Sequence, residues 1–88
     1  MSICGVQVSR RAAKAIGRLP RSEQRRVQAA IELLGNEPRP PGCVAMSGEA
    51  SAYRVRVGSY QIDYEVIDQR LVVLVVRVGH RRDVYQQR

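Results

Sequence analysis

Arg54 and Arg56 stand two apart in Tyr53-Arg54-Val55-Arg56-Val57, where alternation puts both guanidinium groups on one side of an extended strand. Arg77 lies further on, and Arg81 and Arg82 fall in the run Gly79-His80-Arg81-Arg82-Asp83-Val84-Tyr85. A guanidinium offers a planar fork of five donors that matches phosphate and cannot be deprotonated at ordinary pH. Fifteen Lys and Arg oppose eight Asp and Glu for a net charge of +7, and Lys14 is the one cation that is not arginine. Such a balance points to a polyanionic partner, nucleic acid first among them. The arginines in helical stretches read more simply as solvated helix faces.

Other chemistries find little support. Cys4 and Cys43 form no CxxC pair and there is a single histidine, so no zinc site or other metal centre is expected, and no cofactor either. The opening Met-Ser-Ile-Cys-Gly-Val is too short and too soon charged for a signal peptide. No apolar run approaches the roughly 18 residues of a membrane span, so no membrane association is expected and the free thiols point to the cytoplasm. At 88 residues the chain has material for a single domain over 1–88, burying about 60–65% of its unfolded surface.

The elements that must position the arginines follow from periodicity. Ile3–Val8 is short, apolar and β-branched, and reads as a strand. Ser9 can cap a helix to about Leu19, with Ala12, Ile16 and Leu19 on its apolar stripe. Pro20 ends it, and Ser22 is a cap candidate for a second helix carrying Val27, Ala30, Ile31 and Leu34, stopped at Gly35-Asn36. Prolines 38, 40 and 41 make a stiff connector. Val44–Met46 can add a short strand before the alternating stretches Ala52–Val57 and Tyr60–Ile67, joined by Gly58-Ser59 as a two-residue turn. Asp68-Gln69-Arg70 then turns the chain into Leu71–Val78. The expected fold is α+β: an N-terminal strand and an α-helical hairpin packed on a C-terminal antiparallel β-meander, in the order β-α-α-β-β-β.

Hairpin loops fix register. A two-residue loop at Gly58-Ser59 sets Arg56 opposite Gln61 and Arg54 opposite Asp63. A three-residue second loop sets Arg77 beside Gln61 and Val75 beside Asp63. The Tyr53, Val55, Tyr60, Ile62 and Tyr64 face then packs under the helices. Arg54, Arg56, Gln61, Asp63 and Arg77 form an open, mainly cationic floor, on which Arg54 can also simply pair with Asp63.

The segments Tyr53–Gly58, Tyr60–Glu65 and the Gly79–Tyr85 ending, with Leu19-Pro20 between the helices and Pro38-Arg39-Pro40 after them, together resemble the RelE/ParE toxins of bacterial type II toxin–antitoxin systems. The resemblance covers nearly the whole chain. It implies a toxin silenced by a cognate antitoxin, and His-Arg-x-Asp-Val-Tyr looks more like the RelE branch, whose members cut mRNA on the ribosome and so inhibit translation. By that resemblance Arg54, Arg56, Arg81, Tyr85 and His80 are catalytic candidates, and Arg77, Gln61 and Arg82 are RNA-binding candidates. The implied reaction is metal-independent endoribonuclease chemistry: the RNA 2′-hydroxyl attacks the adjacent phosphate, arginines balance charge, and Tyr85 or His80 handles a proton. Gln61 departs from the family, which has an arginine there. Two alternatives therefore stand beside the nuclease: a ParE-like, non-enzymatic inhibitor of DNA gyrase, and a catalytically weakened RelE homologue that mainly binds its antitoxin.

Overall fold

The computed structural model describes residues 4–46 and 51–80. Arg81, Arg82 and Tyr85 lie outside the described residues, as does Ile3. The elements run β1 (Gly5–Val8), α1 (Arg10–Gly17), α2 (Arg21–Asn36), β2 (Val44–Ala45), β3 (Ala52–Val57), β4 (Tyr60–Ile67), a 3-10 turn (Asp68–Arg70) and β5 (Val72–His80). The five strands form one sheet in the order β1-β5-β4-β3-β2, and the architecture is the α+β arrangement expected from the pattern.

The N-terminal strand is more than a lead-in to the helices. β1 pairs in parallel with β5, Gly5 facing Val72 and Val8 facing Val75. Parallel neighbours need a long crossover, and here everything from α1 to β4 supplies it. β1 stops at Val8, and Ser9 makes the corner. Its backbone N–H donates to the Val75 carbonyl at 2.9 Å, its hydroxyl donates to the Val76 carbonyl at 2.8 Å, and the same oxygen accepts from the Ala12 N–H at 3.1 Å. One serine thus caps α1 and ties it to the last strand.

The second helix starts differently from expectation. Pro20, not Ser22, is its N-cap, and no side chain caps it. Proline's fixed φ leads directly into Arg21, so Ser22 is already inside the first turn. Gln24 compensates by closing the helical hairpin: its backbone N–H donates to the Pro20 carbonyl at 2.9 Å, and its side-chain amide donates to the carbonyls of Leu19 at 3.2 Å and Gly17 at 3.3 Å.

Ala12, Ile16, Val27, Ile31 and Leu34 from the helices meet Ile62, Tyr64, Val66, Val73, Val75 and Val78 from the sheet in one buried core, with Tyr53, Val55, Val57 and Tyr60 packed at its margin. Each such aliphatic side chain contributes about 1.5–3 kcal/mol on burial. Cys4 is a buried member of this core, and both cysteines are free thiols. Among the described residues no helix is long and apolar enough to cross a membrane.

The β3–β4 hairpin has the expected register, with Arg56 facing Gln61 and Arg54 facing Asp63, and Gly58 takes the positive φ of 59° its turn needs. The β4–β5 register differs. Ile67 faces Val72, so the loop holds four residues and not three, and a shift between Asp63 and Tyr64 adds one more. Tyr64 faces Val75, Asp63 faces Arg77, and Gln61 faces Gly79. The expectation of Arg77 beside Gln61 and Val75 beside Asp63 is therefore corrected. The loop is longer because Asp68–Arg70 coils into a 3-10 turn that Leu71 exits at φ 53°, a conformation that costs a non-glycine residue stability.

Ser9→Ala should lower stability by about 1–2 kcal/mol, the sum of a lost N-cap and a lost hydroxyl bond to β5. A fall in the urea midpoint with an unchanged slope is the expected reading.

Candidate functional site: a cleft on the sheet face away from the core

The face of the sheet turned away from the core carries Arg54 and Arg56 on β3, Gln61 and Asp63 on β4, and Arg77 and Gly79 on β5. It is not the open cationic floor that alternation predicts. Gln61 is only 2% exposed and Asp63 only 9%. Arg54 binds Asp63 through two bonds, Nε to Oδ1 at 2.7 Å and Nη2 to Oδ2 at 3.3 Å. The side chains of that pair are 30% and 12% exposed, so the carboxylate is sunk in the sheet and draws the guanidinium down with it. Of these six residues only Arg56 is exposed. The correction has a simple cause: β4 lies inside the sheet between β3 and β5, and its side chains are flanked by the longer arginines Arg54, Arg56 and Arg77 of its neighbours.

Gln61 is the anomaly. Neither Nε2 nor Oε1 has a hydrogen-bond partner, although both are out of reach of solvent. An unsatisfied buried amide costs about 1–3 kcal/mol. Gln61 lines a cleft of about 530 Å³ together with Arg54, Arg56, Pro41, Gly42 and Val44, within the size range of pockets that hold small organic groups.

The far wall of that cleft is the connector between α2 and β2. Prolines stiffen it, and Pro40-Pro41-Gly42-Cys43 closes as a turn, with Gly42 at φ 91° and the Cys43 N–H bonding the Pro40 carbonyl at 3.1 Å. Pro then Gly at the central positions is the type II pattern. Side chains from the core face pin the connector in place. Tyr64 donates its hydroxyl to the Pro38 carbonyl at 2.7 Å and stacks on Tyr53 at 5.9 Å. Arg39 donates to the Tyr53 hydroxyl at 2.9 Å, lies over the Tyr53 ring, and pairs with Asp68 at 2.9 Å. Burial, with the Cys43 thiol beside it, pushes the Tyr64 phenol above its ordinary value near 10.

His80 is separated from this group. It ends β5 facing Tyr60, two residues on from buried Val78, and so lies on the helix-covered side. Its ring meets that of Tyr60 edge-on at 5.3 Å. Arg77 borders a second cleft instead, of about 400 Å³, with Arg11, Lys14 and Arg18 along α1. Because β1 ends at Val8, α1 takes its place beside the far half of β5 and brings these cations to the rim. Read as a solvated helix face, they escaped notice as site residues; their i, i+3, i+7 spacing was the available signal.

A helical hairpin on one side of a mostly antiparallel sheet, with an arginine-lined cleft on the other, defines a small basic α+β protein. The sequence model described as ParE toxin of type II toxin–antitoxin system, parDE, matches residues 6–85, and the chain belongs to this RelE/ParE family of toxins. It is 25% identical over 84 residues to the putative toxin RelE1 of Methanocaldococcus jannaschii, covering 92% of this chain and 93% of the relative. It is 31% identical over 61 residues to toxin RelG of Mycobacterium tuberculosis, covering 69% and 70%. The archaeal RelE–RelB complex from Pyrococcus horikoshii contains a chain that superposes with a TM-score of 0.77 at 25% identity, over 90% of this chain and 96% of that one.

Two outcomes test this geometry. Arg54→Ala should cost about 1–3 kcal/mol by stranding the sunken Asp63 carboxylate, whereas Arg54→Ala with Asp63→Ala should recover part of that loss in thermal melts. Tyr64 should make the fold alkali-sensitive. A phenol whose folded pKa is raised contributes stability in full below about pH 10 and loses it as pH climbs above that value. In Tyr64→Phe the decline of stability above pH 10 should be shallower than in wild type.

Proposed function

We propose that this protein is a RelE-like toxin: a ribosome-dependent mRNA endonuclease that stops translation in the cytoplasm and is held silent by a cognate antitoxin. The observation that carries the reading is the Arg54–Arg56 pair beside Gln61 in one cleft, on a fold shared with a RelE that assembles with RelB. The relatives named RelE1 and RelG support the same branch.

The chemistry asked of these residues is modest. A 2′-hydroxyl attacks the neighbouring phosphorus, the P–O5′ bond breaks, and a 2′,3′-cyclic phosphate and a 5′-hydroxyl remain. Arg56, exposed at the cleft mouth, binds the phosphate, while Arg54, held in place by Asp63, adds positive charge beside it. Arg81 adds charge over the phosphorane, Tyr85 protonates the leaving oxygen, and Arg82 and Arg77 hold flanking phosphates. His80, packed against Tyr60 on the helix-covered side, stands apart from this cleft. No step requires a metal ion. Arginine is a poor base, so the 2′-hydroxyl proton leaves through water or the ribosome's own RNA.

A second reading has its own support. The family model that matches is the ParE one, and Gln61 brings no charge where the nuclease branch has an arginine. On that reading the cationic surfaces hold DNA gyrase, or serve antitoxin binding in a catalytically weakened homologue.

Purified protein added to cell-free translation should produce new mRNA ends with cyclic phosphate on the upstream fragment. Arg81→Ala should lower the rate by about 100- to 1000-fold, as expected for one positioned charge, and Tyr85→Phe should lower it too. Loss of DNA supercoiling with protein synthesis intact would transfer the assignment to the gyrase reading.

A further inference from the structure

We infer that Gln61 is a specificity-determining residue that reads the edge of an adenine in single-stranded RNA, an assignment that rests on the RNA-cutting reading and names the base it selects. The starting point is the orphaned amide. Gln61 is 2% exposed, its Nε2 and Oε1 both lack partners, and an apolar side chain of similar volume would sit there without that penalty. The amide lines the cleft bounded by Pro41, Gly42, Val44, Arg54 and Arg56. A lone carboxylate or cation in that position would bind charge. An amide offers one donor and one acceptor side by side, which suits a flat group presenting the complementary pair.

Adenine presents that pair at N6–H and N7, and a bidentate glutamine is the usual protein complement to it. In the proposed contact Oε1 accepts from N6–H and Nε2 donates to N7. The two arginines supply the other half of a nucleotide site. Arg56 directly faces Gln61 across the β3–β4 ladder, and its exposed guanidinium is free to follow a phosphate outward, which uncovers the amide for the base. Val44 and Pro41 give the apolar wall against which a ring can lie. An unpaired base, whose edges are free of a partner strand, is the form such an amide would read.

The test uses full-length protein and fluorescence anisotropy with a short labelled oligouridine carrying one adenosine, the same strand with uridine there, and the same strand with 7-deazaadenosine, which lacks the N7 acceptor. Wild type should prefer the adenosine strand by about tenfold, and 7-deaza replacement should erase the preference without any change to the protein. Gln61→Leu should bring the discrimination ratio close to one and raise the melting temperature, because it removes the orphaned amide. Equal binding of all three strands, preference for another base, no RNA binding at all, or an unchanged ratio in Gln61→Leu would each overturn the assignment. Mapping of mRNA ends on ribosomes separates this from the nuclease reading. Cutting that ignores adenine, alike in wild type and Gln61→Leu, overturns base reading and leaves the nuclease standing. Adenosine preference without any cutting keeps base reading and removes the nuclease.

Discussion

The arrangement of this protein depends on the register shift between Asp63 and Tyr64. Below it, Tyr64 faces Val75 and Val66 faces Val73, all four in the core. Above it, Asp63 faces Arg77 and Gln61 faces Gly79. Without the extra residue, Val76 would lie opposite Asp63, and Arg77 would turn toward the helices, where a guanidinium has no solvent. The bulge keeps Val78 in the core opposite Ile62 while turning Arg77 to the other face of the sheet. It also fixes the neighbour of Gln61 as a glycine, which leaves room beside the amide on the β5 side.

The electrostatics of the cleft follow from that layout. A net charge of +7 is spread over the helices and the sheet, yet at the centre of the sheet face charge is cancelled rather than accumulated. Asp63 binds Arg54 in a geometry that is largely shielded from water, and such a pair is worth more for orientation than for stability. The arginine so held keeps its direction without having to lose the rotamer freedom of a loose surface side chain on meeting a ligand. Arg56 and the α1 cations are exposed.

Much of this was legible in the sequence. The alternation of Ala52–Val57 and Tyr60–Ile67 and the Gly58-Ser59 turn specify a hairpin down to its residue pairs, because a period of two and a tight loop leave no freedom. The helical hairpin is equally plain from Ala12, Ile16, Val27 and Ile31. What failed to show depends on distant parts of the chain. The Asp68–Arg70 turn and the bulge displace β5 by amounts no local pattern encodes, so Arg77 moved from Gln61 to Asp63. Alternation says which face a residue takes but not what lies above that face, and so Gln61 read as open when it is enclosed. Ser22 looked like a cap, but Pro20 had already set the helix start. The parallel docking of β1 on β5 leaves no sequence signal beyond two apolar stretches.

That docking has a consequence for how the protein comes into being. β1 is made first and β5 last, and β5 is the strand that joins β1 to all the others. While the chain is being synthesised, β1 has nothing to pair with and Ser9 has no carbonyls to bind, so α1 has no anchor on the sheet. The β3–β4 hairpin can form early from local contacts, but closure waits for the most sequence-distant pairing in the molecule, which is slow by its nature. An unfinished chain therefore lacks both the core and the bulge that shapes the cleft. Late closure delays the appearance of the cleft until nearly the whole domain has been translated.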